Sequence, residues 1–223
     1  MRRGEVMPRA EVVRRIEALG VIAVVRLDDS AQLRPVVDAL VAAEIGAVEL
    51  TMTTPGALEA LASVAATYGD RVLLGVGSVL DAETARLAIL AGAHFVVAPT
   101  CCVEVVEMCH RYGIVAMPGA YTPTEVVAAW QAGADFIKLF PAGTLGPDYI
   151  AMLREPLPQL RIVPTGGVNA DNAGAFLAAG AVAVGVGGSL VDRTAVSRGD
   201  YTRLIEAAHR LKRAISAARE RST

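Results

Sequence analysis

The chain has 223 residues, of which 53% are hydrophobic and 4% aromatic, so its length suits one large α/β domain with a core of Ala, Val, Leu and Ile. A formal net charge of -2 excludes the broad basic field that attracts nucleic acid or anionic lipid. Charged residues or glycines interrupt every long apolar stretch, which excludes a membrane span of about 20 residues.

Cysteine usage and the N-terminal residues predict the cellular compartment. Cys101, Cys102 and Cys109 are an odd number without the spacing of a disulfide framework. No apolar run of signal-peptide length follows the first residues. We therefore expect reduced thiols and a cytoplasmic protein.

Eight apolar segments alternate with amphipathic stretches of helical period, which indicates a parallel sheet. In chain order the predicted strands are 21–25, 45–50, 71–75, 91–96, 113–117, 132–137, 160–164 and 179–184. A glycine recurs in every second strand segment, after the amphipathic stretch and before the apolar run, at Gly46, Gly92, Gly133 and Gly180. These positions predict helix C-cap glycines in a repeat of two β/α units.

The pairwise repeat favours closure of the sheet into a single (β/α)8 barrel, a TIM barrel, which covers residues 1–223 as one domain with a short N-terminal helix. An open doubly wound sheet is the alternative, but no GxGxxG motif follows the first strand. In a barrel the reacting groups project from the C-terminal ends of the strands and from the loops that follow. Functional residues are therefore expected at those positions.

Lys138 is the first candidate. Only two of the 21 basic residues are lysines, Lys138 and Lys212, so arginine serves almost wherever a surface cation is needed. Lys138 extends the sixth predicted strand between the apolar neighbours Ile137 and Leu139, a setting that favours the neutral amine. A neutral amine attacks a carbonyl to form an imine, which a guanidinium does not do. The alternative is a structural ion pair at a strand end.

Glu49 is the matching exception in the second predicted strand, where a carboxylate interrupts an apolar run. Near a strand end it suits a general acid/base that acts on a substrate attached to Lys138, directly or through a water. The alternative is a salt bridge to Lys138 or Arg26. Arg26, which ends the first strand, is a candidate for binding a substrate carboxylate, with a solvated loop arginine as the alternative.

Two glycine-rich loops follow the seventh and eighth strands, at 164–168 and 185–189. Loops after these two strands of a barrel commonly form a phosphate site from backbone N–H groups. The alternative is a pair of tight turns. Ser78, after the third strand, suits either a carboxylate contact or a helix cap.

The histidines and the C-terminal basic residues give no indication of a metal, cofactor or nucleic-acid site. His94 and His110 have no partners at metal-ligand spacing, so we expect neither a metal nor another cofactor. The C-terminal segment has a basic face formed by Arg210, Lys212, Arg213, Arg219 and Arg221. We interpret this face as solvated rather than as a nucleic-acid site.

Seven motifs span nearly the whole chain. They are Val-Val-Arg at 24–26, Glu-Leu-Thr-Met-Thr-Thr-Pro at 49–55, Gly-Val-Gly-Ser-Val at 75–79, Pro-Gly at 118–119, Thr-Pro-Thr-Glu at 122–125, Lys-Leu-Phe-Pro-Ala at 138–142 and Pro-Thr-Gly-Gly-Val at 164–168. In these motifs the chain resembles a known family, the aldolases that act on 2-keto-3-deoxy-6-phosphogluconate (KDPG) and 4-hydroxy-2-oxoglutarate (KHG).

The resemblance implies Lys138 as the imine-forming residue, Glu49 as the acid/base, and a homotrimer. The substrate contacts that we expect are Arg26, Thr53, Ser78, Pro99, Thr165, Gly166, Gly167, Gly187, Gly188 and Ser189. Many members of the family carry Arg where Thr53 stands and use it for the pyruvate carboxylate. Arg26, Ser78 or Thr165 then carries more of that binding here.

The resemblance implies a metal-free class I aldolase that reversibly cleaves KDPG to pyruvate and glyceraldehyde 3-phosphate, and KHG to pyruvate and glyoxylate. One alternative is a phosphate-sugar isomerase or epimerase, in which Glu49 abstracts a proton and Lys138 only stabilises charge. A second is a non-catalytic barrel that binds a phosphometabolite. The pairing of Lys138 with Glu49 argues against the second.

Overall fold

The computed structural model describes residues 7–221, in which parallel strands alternate with helices. The strands are β1 (Val21–Val25), β2 (Ala47–Thr51), β3 (Leu73–Gly77), β4 (Phe95–Val97), β5 (Val115–Met117), β6 (Gly119–Ala120), β7 (Ile137–Leu139), β8 (Ile162–Pro164) and β9 (Val184–Val186). The helices are α1 (Arg9–Leu19), α2 (Leu33–Ala42), α3 (Ala57–Tyr68), α4 (Ala82–Leu90), α5 (Val103–Arg111), α6 (Pro123–Gln131), α7 (Pro147–Arg154), α8 (Ala173–Ala178), α9 (Arg193–Ser197) and α10 (Tyr201–Glu220).

The strands form two parallel sheets, which confirms the α/β class. A curled six-stranded sheet has the order β5-β4-β3-β2-β1-β9, and a three-stranded sheet has the order β6-β7-β8. The predicted fifth strand, 113–117, contains β5, and the short strand β6 follows it after Pro118, which has no N–H to donate to a ladder. The predicted sixth strand therefore corresponds to β7. A parallel bridge between Thr165 and Gly185 links the two sheets.

An apolar core fills the inner face of the strands at their N-terminal ends. It contains Ala47, Leu73, Phe136 and Val163, and residues of α1 such as Ile16 pack in the same cluster. A second core lies between the strands and the surrounding helices.

Strand alternation then determines which side chains occupy the inner face further along. Residues two positions apart point to the same side of a strand. Glu49 therefore follows Ala47, Lys138 follows Phe136, and Thr165 follows Val163 on the inner face. These three polar residues thus lie at the C-terminal ends of the strands, and the apolar core lies at the N-terminal ends.

The predicted helix C-cap glycines are correct at three positions of four. Gly92, Gly133 and Gly180 have φ values of 97, 91 and 103°. The prediction for Gly46 is wrong, because Glu44 takes the left-handed conformation there with a φ of 58°. The chain turns two residues earlier than the aligned repeat suggests, since Ile45 N–H already closes the helix end on Leu40 O at 2.8 Å.

The basic face of α10 is partly engaged rather than fully solvated, which corrects the sequence-based interpretation. Lys212 pairs with the carboxylate of Glu44, and Arg219 donates to the carbonyls of Glu17 and Ala18. Arg210, Arg213 and Arg221 are exposed. Across residues 7–221, none of the helices has the length and apolar character that crossing a membrane would require.

Candidate active site

A cavity of about 480 Å³ opens at the C-terminal ends of the strands. Nearly all the residues predicted as site residues line it: Arg26, Glu49, Ser78, Pro99, Lys138, Thr165, Gly166, Gly167, Gly187, Gly188 and Ser189. They come from loops and strands spread over most of the chain. A volume of this size is typical of a site for a small metabolite.

Lys138 projects into the cavity from the middle of β7. Its residue is only 6% exposed, and its backbone N–H donates to Pro118 O at 2.9 Å. The Nζ atom lies 3.8 Å from Glu49 Oε1 and 5.1 Å from the centre of the Phe140 ring. The amine therefore contacts one carboxylate and one aromatic face in a setting with little water.

Glu49 is 2% exposed on β2. Its Oε1 atom is buried and accepts no hydrogen bond from any group within residues 7–221. The distance of 3.8 Å to Nζ is too long for a direct hydrogen bond. A buried carboxylate oxygen with spare acceptor capacity is costly, and it suits a water or a substrate hydroxyl that fits between the two side chains.

Glycines make room for the inner side chains of Glu49 and Thr165. A Cβ atom at Gly77, on β3, would lie 1.8 Å from Glu49 Oε1, and one at Gly185, on β9, would lie 2.2 Å from Thr165 Oγ1. The neighbouring strands therefore carry glycine where a functional side chain crosses them. No local sequence pattern marks Gly77 for this role.

Ser78 and Thr53 differ in their placement. Ser78 has a φ of 62°, a conformation that costs energy for a residue other than glycine and that often occurs at functional sites. Thr53 is exposed and does not line the cavity as the described residues form it. Its hydroxyl lies 2.9 Å from that of Thr51, and the buried Thr51 lines the cavity instead.

The two glycine-rich loops lie together on one side of the cavity. Gly166 and Gly167 have φ values of 82 and 81°, and Ser189 Oγ donates to Val168 O at 2.9 Å, which joins the two loops. Within residues 7–221, the amides of Gly167, Gly188 and Ser189 donate to no other group. Free backbone amides from two loops form a concave site that suits an anion.

Arg193 and Asn169 also line the cavity, although neither was predicted as a site residue. Arg193 begins α9 and pairs with Asp28 in the loop after β1. Asn169 Oδ1 accepts from the N–H of Asp171 at 2.8 Å. Neither residue interrupts an apolar strand. The pattern that identified Lys138 and Glu49, an ionisable residue within an apolar run, is therefore missing at both positions.

The histidines lie away from the cavity lining. His94 Nδ1 accepts from Leu74 N–H at 3.1 Å, and burial lowers the pKa of this imidazole. His110 is half-buried at the end of α5. In the part of the chain that the structure describes, no three or more His, Cys, Asp or Glu side chains are grouped as metal ligands.

A family model and several known proteins are similar to this chain. The model of the KDPG and KHG aldolase family matches residues 12–207. The 2-dehydro-3-deoxy-phosphogluconate aldolase of Treponema pallidum is 33% identical over 195 residues, which are 87% of this chain and 91% of that protein. The 2-dehydro-3-deoxy-6-phosphogalactonate aldolase of Escherichia coli is 33% identical, over 71% of this chain and 81% of its own.

A solved structure is also similar. The KDPG aldolase from Legionella pneumophila, with pyruvate captured as a covalent carbinolamine, has a TM-score of 0.83 and 26% identity, and the match covers 92% of this chain and 98% of that one.

Proposed function

The chain belongs to the KDPG and KHG aldolase family, and we propose that it reversibly cleaves KDPG to pyruvate and glyceraldehyde 3-phosphate through an imine on Lys138. The observation that carries the proposal is the buried Lys138–Glu49 pair, with its 3.8 Å separation, at the inner end of the cavity. The covalent pyruvate adduct named for the similar Legionella enzyme supports the same chemistry.

The reaction begins when the neutral amine of Lys138 attacks the C2 carbonyl of the substrate. Loss of water leaves an iminium ion, and this cation accepts the electron pair of the C3–C4 bond as that bond breaks. The proton of the C4 hydroxyl must leave at the same time, so that C4 departs as an aldehyde. Protonation of the resulting enamine at C3 and hydrolysis then release pyruvate and restore the amine.

Glu49 is the proposed acid/base for these proton transfers. Its free Oε1 atom is available to accept the C4 hydroxyl proton, directly or through one water, and to return a proton to C3. The Lys138 iminium carries the positive charge of the intermediate next to this carboxylate, and the attraction between opposite charges is strong where little water reaches.

The remaining cavity residues bind the two ends of the substrate in this proposal. The amides of the glycine-rich loops, with Ser189, hold the phosphate. Arg26, Ser78 and Thr165 hold the carboxylate next to C2, and Thr51 joins them, since it lines the cavity whereas Thr53 does not. The same mechanism applies to KHG, which has no phosphate.

Borohydride trapping with pyruvate tests the proposal. Borohydride reduces an imine to a stable secondary amine, and peptide mass spectrometry locates the modified residue. We expect the adduct on Lys138 alone and no adduct in Lys138→Arg, which keeps the positive charge but forms no imine. An adduct elsewhere, or none in the wild-type protein, would contradict the proposal. Turnover without any adduct would instead favour the isomerase alternative.

The finer architecture is also part of the proposal. A single closed (β/α)8 barrel over residues 1–223 is supported by the short Pro118 break between β5 and β6 and by the Thr165–Gly185 bridge. Residues 1–6 and 222–223 of that proposed domain lie outside the described range.

A homotrimer in the cytoplasm completes the proposal. Large apolar side chains exposed on α4, including Leu87 and Leu90 at 52 and 66%, support association between copies. Free thiols at the three cysteines support a reducing compartment.

A further inference from the structure

Arg193 joins two neighbouring loops above the cavity. Its guanidinium pairs with the carboxylate of Asp28, which stands 165 residues away in the chain. Strands β1 and β9 are adjacent, so the loop that carries Asp28 and the loop that leads to Arg193 lie side by side. Arg193 also lines the cavity, together with the glycine-rich loops.

Little free energy is needed to break the ion pair between Arg193 and Asp28. The side chains of Arg193 and Asp28 are 53 and 71% exposed, and exposed ion pairs contribute little because water and salt screen them. An anion of higher charge that enters the cavity therefore competes well for Arg193. The long arginine side chain can turn from Asp28 without any change in the backbone.

The glycine-rich loops alone supply neutral donors. A phosphate monoester carries between one and two negative charges at neutral pH, and backbone amides hydrogen-bond it without neutralising it. A guanidinium adds a full positive charge and two parallel N–H donors that match phosphate oxygens. Arg193 is a side-chain cation that lines the same cavity as Ser189 and Val191.

We propose that Arg193 is a specificity-determining residue that leaves Asp28 to bind the substrate phosphate. This inference rests on the proposed aldolase function. Arg193 would distinguish the two substrates of the family by the position of their distal anionic group. The distal carboxylate of KHG is bonded to C4 itself and so stays close to Lys138, whereas the phosphate of KDPG stands two carbons further out and reaches the loops.

Steady-state kinetics with both substrates tests the inference. In Arg193→Gln, the ratio of kcat/KM for KDPG to kcat/KM for KHG falls about tenfold or more, the loss expected for one hydrogen bond to a charged group. Arg198→Gln is the matched control, since it removes the same charge from an exposed arginine that does not line the cavity. The control keeps the wild-type ratio.

A second variant separates phosphate binding from a structural role of the pair. In Asp28→Asn the ratio of the two kcat/KM values does not fall, because the carboxylate that competes with the phosphate for Arg193 is removed. An equal fall in Asp28→Asn and Arg193→Gln would overturn the inference, as would an unchanged ratio in Arg193→Gln or equal losses with both substrates.

Titration calorimetry with inorganic phosphate gives a readout that does not depend on catalysis. Arg193→Gln raises the Kd for phosphate about tenfold, and Arg198→Gln does not. If wild-type protein forms no pyruvate adduct, the aldolase proposal fails while this titration still tests Arg193. If the adduct forms on Lys138 and phosphate binding is the same in both variants, only the inference about Arg193 fails.

Discussion

The α-carbon of Gly77 faces the carboxylate of Glu49 so closely that a Cβ atom at position 77 would lie 1.8 Å from Glu49 Oε1. Gly77 pairs with Thr51 across β2 and β3, so the contact is set by strand register. A single methyl group at this position must move the carboxylate or separate the strands. Gly77 is therefore a positioning residue for Glu49.

Gly77→Ala tests this relationship. We expect kcat to fall by about tenfold or more, since small displacements of a catalytic group are costly, while the pyruvate adduct on Lys138 still forms. The control is Gly46→Ala, whose Cβ would meet Leu19 at 3.6 Å, an ordinary contact. Wild-type kcat in Gly77→Ala would show that Glu49 does not need its present position.

Glu49→Gln separates proton transfer from imine formation. We expect kcat to fall by about 10² to 10⁴, the usual contribution of a general acid/base, because the glutamine amide does not act as a base near neutral pH. Borohydride should still trap pyruvate on Lys138, since the amine is intact. Loss of trapping together with turnover would mean that Glu49 acts on Lys138 rather than on the substrate.

The stability of the fold should fall on mild acidification because of His94. Burial lowers the pKa of this imidazole from its ordinary value of 6.5, so the unfolded chain takes up a proton first. The stabilisation by the neutral ring is complete above the unfolded pKa and is lost as pH falls through the folded pKa. Burial also lowers the pKa of His110, which adds to the effect.

Urea unfolding at about pH 7.5 and about pH 5.5 measures this loss. In His94→Gln, where the side-chain oxygen can still accept from Leu74 N–H, the difference in unfolding free energy between the two pH values should be smaller than in wild type. An identical difference in both proteins would remove His94 as the cause.

The three thiols should differ in reactivity. Burial raises the pKa of Cys109 to about 12, and thiolate is the reactive form. Cys101 and Cys102 are only half-buried, although burial raises the pKa of each of them too. We expect iodoacetamide to label Cys101 and Cys102 slowly, faster with rising pH, and Cys109 only after unfolding. Labelling of Cys109 in the folded protein at the rate of Cys101 would contradict this.

Leu90→Arg should weaken the proposed trimer. Leu87 and Leu90 lie three residues apart and so on one side of α4, and both are more than half exposed. A buried charge in an interface without a partner is unfavourable. Sedimentation velocity should give a trimer for wild type and a smaller species for Leu90→Arg with an unchanged circular dichroism spectrum. A wild-type monomer would contradict the proposal.

Local pattern predicted the strands well where an apolar run has clear limits. β1 begins and ends as predicted, because its run lies between Gly20 and Arg26. β3 begins at Leu73 rather than at residue 71, since a 3-10 turn occupies Gly69–Arg71. The pattern treated Pro118 as the end of the fifth strand, whereas the structure has a further short strand, β6, directly after it.

Sequence alone identified Lys138 and Glu49 as candidates, because each places an ionisable group in an apolar strand and that exception is local. The glycine-rich loops were recognisable for the same reason. Only the tertiary structure decided that Thr51 rather than Thr53 lines the cavity, that Gly77 accommodates Glu49, and that Arg193 reaches Asp28. These relationships depend on the register between strands and on the paths of separate loops, which residues far apart in the chain determine together.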